Sequence, residues 1–323
     1  MDRALFAPLA ARFREDLARV WPEIAGEDAR LGVAVSGGPD SLALLILSAM
    51  IMPGRVEAAT VDHGLRAESA EEAATVASLC QDIGVPHSTL PVEVAAGNVQ
   101  AQAREARYAA LAQWLDRRGL AALATGHQLD DQAETLMMRL HRGSGIAGLA
   151  GVRPRGNVPG TDLALLRPLL GWRRAELEAL VEDAELTPVR DPSNDDLRFE
   201  RVRVRRLLAS QDGIDPSGLA RSAQLLADAE AYLNAQVDLA WRNWVVQTSD
   251  GFGYALGQAH SFEAVEIILR IGAELGADIS RGDARTMVDR LRAGENASLG
   301  GMLARPDLEG VWHFEPEPPR RTG

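Results

Sequence analysis

The chain has 323 residues, 46% of them hydrophobic and 25% charged, with a formal net charge of −12. That length suits about two domains, and the acidic balance speaks against indiscriminate binding to polyanions. A single cysteine, Cys80, excludes an internal disulfide and any four-cysteine metal or cluster site. All 34 basic residues are arginine, and they are unevenly spread: 13 face 10 acids over residues 139–206, against 11 to 19 before that stretch and 10 to 17 after it. Such a basic band in an acidic chain is a place for a nucleic-acid backbone, or else a set of solvated helix faces.

The start, MDRALFAPLAARFRED, carries acids and lacks a signal-like apolar core, so the chain reads as soluble and cytoplasmic. LGVAV from Leu31 reads as a buried strand leading to a helix from Ser41 to Met52. The apolar run LALLILSAMIM is only 11 residues long and ends at Pro53, too short to cross a bilayer, so no membrane partner is expected. VEAATVD (56–62) reads as a strand and SAEEAATVASLCQDIG as a helix ending at Gly84, with Cys80 a buried, inert thiol within it. PHSTLPVEV, LAALATGH and the helices NVQAQAREARYAALAQWLDRRG and DDQAETLMMRLHRG continue the alternation. Strands alternating with helices predict an α/β domain, a Rossmann-like parallel sheet flanked by helices, with ligands bound beyond the strands' carboxyl ends. The glycine loop after Val35, Asp62-His63 and Gly126-His127 all fall at such ends and are expected to converge on one crevice.

Beyond Gly151 come an extended passage, ALLRPLLGW, the helix RRAELEALVEDAEL, the segment PVRDPSNDD and an arginine-rich helix, ERVRVRRLL. A break at Gly213–Pro216 precedes a long helix from near Ser217, and the mostly helical remainder closes on a candidate hairpin, ASLGGMLARPDLEGVWHFE. The boundary expected near residue 214 separates a catalytic domain, 1–213, from a smaller, mainly helical C-terminal domain, 214–323.

Two stretches carry chemistry. In AVSGGPDSLALL (34–45), Gly37 and Gly38 allow a sharp turn, Ser36 and Ser41 add hydroxyls, and the helix starting near Ser41 presents free N–H groups. This makes an anion nest that needs no lysine, unlike the GxxxxGK[ST] loop. Asp40 stands in the turn, where it suits a Mg²⁺ ion carried by phosphates. In GHQLDDQAETLMMRLHRGSGIAGLAG (126–151), His127, Asp131 and Glu134 are spaced i, i+4, i+7, so a helix starting at His127 aligns them on one face with Asp130 close by. Such a face can bind an ammonium group and take its proton. One histidine is a weak basis for zinc, and either aspartate can instead cap the helix.

SGGxDS after a buried strand resembles the loop of the N-type ATP pyrophosphatases, the PP-loop family, which implies cleavage of ATP between the α- and β-phosphates and an adenylylated substrate. One cysteine cannot supply the cysteine pairs of that family's tRNA thiolases, and no glutamine amidotransferase part is visible. With VDHGLR, AREARYAAL, the RGSG turn, RPLL and DPSN, the second stretch resembles the tRNA(Ile)-lysidine synthetases within that family, from about Leu31 to Leu208. The resemblance implies ATP and Mg²⁺ as cofactors and two partners, free lysine and an isoleucine tRNA with a CAU anticodon. The wobble cytidine would be adenylylated and then attacked by lysine to give lysidine.

By position, it implies that Ser36, Gly37, Gly38, Pro39, Asp40 and Ser41 bind ATP with Asp62 and Gly126 nearby, and that Arg107 acts near the α-phosphate or the activated base. His127, Asp131 and Glu134 would handle lysine, and Arg201 and Arg205 take the places of an arginine pair. Within 201–206, RVRVR departs from the family pattern of an asparagine after the first arginine, leaving open which arginine enters the site. The band's Arg153, Arg155 and Arg173 are expected on tRNA, with the C-terminal domain assisting. Two alternatives remain at this stage: a PP-loop ligase acting on a small acid, and a non-catalytic ATP or AMP sensor.

Overall fold

The computed structural model describes residues 5–26, 28–62, 68–92, 99–189, 196–211, 213–255 and 260–317. The chain divides into two compact units, Met1–Ala227 and Asp228–Gly323. The first contains α1 (Ala7–Val20), a 3-10 turn (Pro22–Ala25), β1 (Leu31–Ala34), α2 (Pro39–Ile51), β2 (Val56–Asp62), α3 (Glu68–Asp82), β3 (His87–Pro91), α4 (Val99–Arg118), β4 (Ala122–Ala124) and α5 (Leu129–His141). After these come α6 (Ile146–Leu149), β5 (Arg155–Asn157), β6 (Ala164–Leu166), α7 (Arg174–Asp183), α8 (Glu200–Ser210) and α9 (Pro216–Trp244). The units divide inside α9, so the Gly213–Pro216 break marks the start of that helix and the division itself comes later.

The six strands run in the order β3-β2-β1-β4-β6-β5, all parallel except β5, which pairs antiparallel with β6 at the edge. The alternation of side chains explains the layers. Leu31, Val33, Ala58, Ala122, Ala124 and Leu166 point into one core with α1, α2 and α7. Their neighbours Ala59, Leu123 and Leu165 point into the other, against Tyr108, Leu111, Trp114 and Leu115 of α4. Gly32 belongs to that second face, where a Cβ would come within 2.6 Å of Leu115 Cδ2 and 2.7 Å of Trp114 Cζ3. Its absence lets α4 lie close to the sheet. Ser41–Ser48 are all buried, which accounts for the long apolar run of α2. No described helix is long and apolar enough to cross a membrane.

From β1 the chain proceeds outward through β2 and β3, then returns to place β4 on the other side of β1. The loops leaving β1 and β4 therefore diverge, which opens a crevice at the carboxyl edge.

The second unit adds β7 (Val245–Gln247), β8 (Phe252–Ala255), α10 (Ser261–Glu274), α11 (Arg281–Arg292), β9 (Ala297–Leu299), β10 (Met302–Pro306) and β11 (Val311–Pro316) to the end of α9. Ile267, Ile268 and Ile271 of α10 and Met287, Val288 and Leu291 of α11 form its core with Tyr254, Met302, Trp312 and Phe314. The expected hairpin is β10–β11, with Arg305 opposite His313. It sits within a five-stranded antiparallel sheet, β7-β8-β11-β10-β9, whose other strands are too short to show a period in sequence.

Candidate active site

A cleft of about 1720 Å³ opens at the carboxyl edge of the parallel sheet. Its floor is the loop between β1 and α2. Gly37 has φ +83, and a Cβ there would meet Val189 Cγ2 at 2.7 Å, so only glycine makes this turn without strain. Val189 N–H donates to the Gly37 carbonyl at 2.9 Å, which seats the 186–189 segment on the back of the loop. Ser41 Oγ donates to the Gly38 carbonyl at 2.9 Å and accepts the Ser36 N–H at 3.1 Å. Pro39 opens α2, whose N-cap Gly38 provides no side-chain cap. The helix thus presents its first N–H groups and its positive end to the cleft. Ser36, Gly38, Pro39, Asp40 and Ser41 line the cleft, whereas Gly37 lies behind it.

Asp40 Oδ1 is buried and accepts no hydrogen bond among the described residues. Burial, then the nearby Asp131 carboxylate, raises the Asp40 pKa to about 7 against the pull of Arg174. Among the described residues no cluster of three or more His, Cys, Asp or Glu could hold a metal ion. A divalent ion at Asp40 would therefore take most of its oxygens from a bound ligand, which suits a phosphate-borne cation.

The second wall comes from the loop between β4 and α5. Gly126 touches the start of α2, where a Cβ would stand 3.1 Å from the Asp40 carbonyl oxygen and the Ser41 nitrogen. His127 lies before α5, not on it, because Gln128 is the N-cap. The Gln128 side chain accepts the N–H groups of Asp130 and Asp131, and Asp131 Oδ2 accepts the Gln128 N–H at 3.2 Å. The expected alignment of His127 with Asp131 and Glu134 on one helical face is thereby corrected: His127 is fixed separately, with Nδ1 3.0 Å from Thr125 Oγ1. Asp131 combines a capping role with a place on the cleft wall. Asp130 Oδ2 accepts the Arg174 N–H at 2.8 Å, tying α7 to α5.

Arginines form the third wall. Arg104 and Arg107 of α4 both line the cleft and lie 5.0 and 5.3 Å from the centre of the buried Tyr108 ring. Arg174 opens α7, and Arg201 and Arg205 come from α8. Burial, then the charges of Arg167, Arg201, Arg104 and Arg107, lowers the His127 pKa to about 3, so its imidazole is neutral near pH 7. Glu134 is 1% exposed and stands behind this wall, not on it. Its Oε1 accepts from Arg174 Nη2 at 2.9 Å and Arg205 Nε at 2.8 Å, and Arg201 Nε lies 3.5 Å from Oε2. Arg203 faces away and donates to the carbonyls of Leu197 and Arg198.

Of the expected site residues, the cleft thus gathers Arg107, His127, Asp131, Arg201, Arg205, Gly126 and most of the glycine loop. Asp62 ends β2 beside the lining residues Thr60 and Val61 without joining them. His63 and the DPSN segment lie outside the described residues. Of the band's surface arginines, Arg155 forms two bonds to Glu23, at 2.8 and 2.9 Å, and Arg173 pairs with Asp130 at 3.2 Å. Sequence reasoning missed Arg104, Arg174 and Glu178 as lining residues. Arg104 lies one turn before Arg107 in the same AREARY run, so its helical spacing was an available signal.

The fold and glycine loop define a PP-loop, ATP-using protein: a model of the PP-loop domain matches residues 9–211. The U34-tRNA thiolase NcsA from Methanococcus maripaludis, solved with its [4Fe-4S] cluster, shares this fold at TM-score 0.54 and 17% identity, over 72% of this chain and 80% of that one. A tRNA(Ile)-lysidine synthase from Novosphingobium aromaticivorans is 47% identical over 97% of this chain and 95% of its own length. Another, from Methylobacterium nodulans, is 39% identical over 96% and 97%. The chain belongs to the tRNA(Ile)-lysidine synthase family of ligases.

Proposed function

We propose that the protein joins free lysine to C2 of the wobble cytidine in a CAU-anticodon isoleucine tRNA. ATP is consumed, and lysidine, AMP and pyrophosphate are formed. The observation that carries this reading is the division of one cleft by charge. An uncapped helix end and the orphaned Asp40 oxygen lie on its floor, and arginines from α4, α7 and α8 also line it.

In the first step the ATP phosphates occupy the nest of Ser36–Ser41. Mg²⁺, when bound, would be held by Asp40 and the phosphates and would offset their charge. The cytidine C2 oxygen attacks the α-phosphorus, the bond to the β-phosphate oxygen breaks, and pyrophosphate leaves. Arg107, beside Arg104, stabilises the charge that develops at the α-phosphate.

In the second step the side-chain amine of lysine attacks C2, and AMP departs with the former C2 oxygen. An ammonium cannot attack until it loses its proton. Asp131 and Glu178, two of the carboxylates that line the cleft, are assigned to receive the ammonium and that proton. His127 sits among four arginines and is assigned to the nucleotide and RNA side, because that surrounding repels a cation. The chain contains no lysine, so the attacking amine comes from outside it.

Pyrophosphate release assayed with CAU-anticodon transcript, lysine and ATP, omitting each in turn, tests the reading. Release should require both ATP and the RNA. Release with ATP and lysine alone would move the protein to ligases of small acids.

A further inference from the structure

Glu134 is buried, and three guanidinium groups offset its charge. They arrive from two helices, Arg174 from the first turn of α7, and Arg201 and Arg205 from one face of α8, four residues apart. A buried carboxylate persists only when paired in this way. All three arginines also line the cleft, whereas Glu134 does not. Two negative charges, Glu134 and Asp131 (3.6 Å from Arg174), set against three positive ones still leave a surplus of positive charge facing the cleft. Arg201 is braced further by its Nη2 bond to Thr135 Oγ1 at 3.0 Å. Helix α5 thus supplies Glu134 and Thr135, which bond or pair with the two cleft-lining arginines of α8. An ε-ammonium entering the cleft would meet these three cations before it reached Glu134.

We propose that Glu134 is a positioning residue, holding Arg174, Arg201 and Arg205 as one array that grips substrate phosphate. This rests on the two-step reading above and assigns Glu134 to its lysine-independent half. The phosphate belongs either to ATP or to the RNA backbone, and separate KM measurements distinguish the two.

The test is steady-state and single-turnover kinetics of Glu134→Gln, which keeps the side chain's shape and removes its charge. Adenylylation of RNA without lysine should slow, or the KM for ATP or tRNA should rise, by about tenfold or more, the size of one missing charge-assisted hydrogen bond. The KM for lysine should stay within about twofold. A raised KM for ATP would place the array on the nucleotide, and a raised KM for tRNA would place it on the RNA. Unchanged adenylylation with a raised lysine KM would overturn the proposal.

Arg205→Met removes a half-exposed member of the array and keeps the idea testable should Glu134→Gln fail to fold. It should show the same lysine-independent defect, and a defect confined to lysine would count against the array. Combining the two substitutions should be little worse than the more damaging one alone, since both act through one array. Fully additive losses would show that Glu134 works apart from Arg205. If the wild-type protein forms no lysidine with all substrates present, the underlying reading fails, and the variants are not needed to show it.

Discussion

Asp40, in the first turn of α2, and His127, in the loop between β4 and α5, both line the cleft, and burial perturbs them in opposite senses. The folded pKa of Asp40, about 7, lies above its ordinary 3.8, so the ligand-free folded protein binds the extra proton in that window. Its contribution to stability is present at low pH and is lost as pH rises toward 7. His127 has a folded pKa of about 3, below its ordinary 6.5. There the unfolded chain binds the extra proton, so stability rises with pH across that window. The two slopes oppose each other where the windows overlap. Asp40→Asn should therefore make the ligand-free Tm climb more steeply between about pH 4 and 6.5 than in the wild type, and His127→Gln should do the reverse. Identical pH profiles in all three proteins would contradict both assignments. Gly37→Ala places a Cβ at positive φ, a cost of roughly 1–2 kcal/mol, and drives it against Val189. It should lower both Tm and ATP affinity, whereas unaltered nucleotide binding in calorimetry would show that the turn can relax.

At the scale of single elements, α8 offers a test within one helix. Arg201 and Arg205 point to the cleft and to Glu134, but Arg203 bonds the backbone of its own entry turn. Alanine at 201 or 205 should cut turnover by about tenfold or more, as for the loss of a charged hydrogen bond. Alanine at 203 should leave kcat within about twofold and lower Tm slightly. Equal losses at all three positions would mean that α8 is needed only as a folded helix.

The parallel sheet, its order of helices and the glycine loop were legible in sequence because each is written in contiguous residues: a short apolar run, a period of 3.6, a tight turn. The phase of α5 was not. Gln128 caps that helix, although glutamine is outside the favoured cap set, and two aspartates that belong to that set follow it. The helix begins at Leu129, two residues after the His127 start that the i, i+4, i+7 spacing suggested and before the aspartates that cap preference favours. The burial of Glu134 under three arginines was also hidden, since its partners come from α7 and α8 and only tertiary packing joins them.

At the scale of the whole molecule, charge separates the two units. Residues 228–323 hold 9 arginines against 15 acids. Arg270, Arg281, Arg285, Arg290 and Arg305 each pair with a carboxylate of the same unit. Such a surface contributes little to gripping a polyanion, so the salt dependence of tRNA binding should reside in the first unit. Replacing Arg281 and Arg285 with alanine should leave the slope of log K against log salt unchanged. Replacing Arg201 and Arg205 should flatten it by about 0.7–0.9 for each phosphate no longer neutralised. A flatter slope from the Arg281 and Arg285 pair would return the second unit to the RNA interface.

In the proposed reaction this cleft activates the RNA first and admits the amine second, and one measurement addresses that order directly. The protein is incubated with ATP labelled at the α-phosphate and a CAU-anticodon isoleucine tRNA, with lysine withheld. Label should accumulate on the RNA as pyrophosphate is released, and lysine added afterwards should discharge it as AMP. If no label reaches the RNA until lysine is present, or if lysine and ATP alone release AMP, the order of events proposed for this cleft is contradicted.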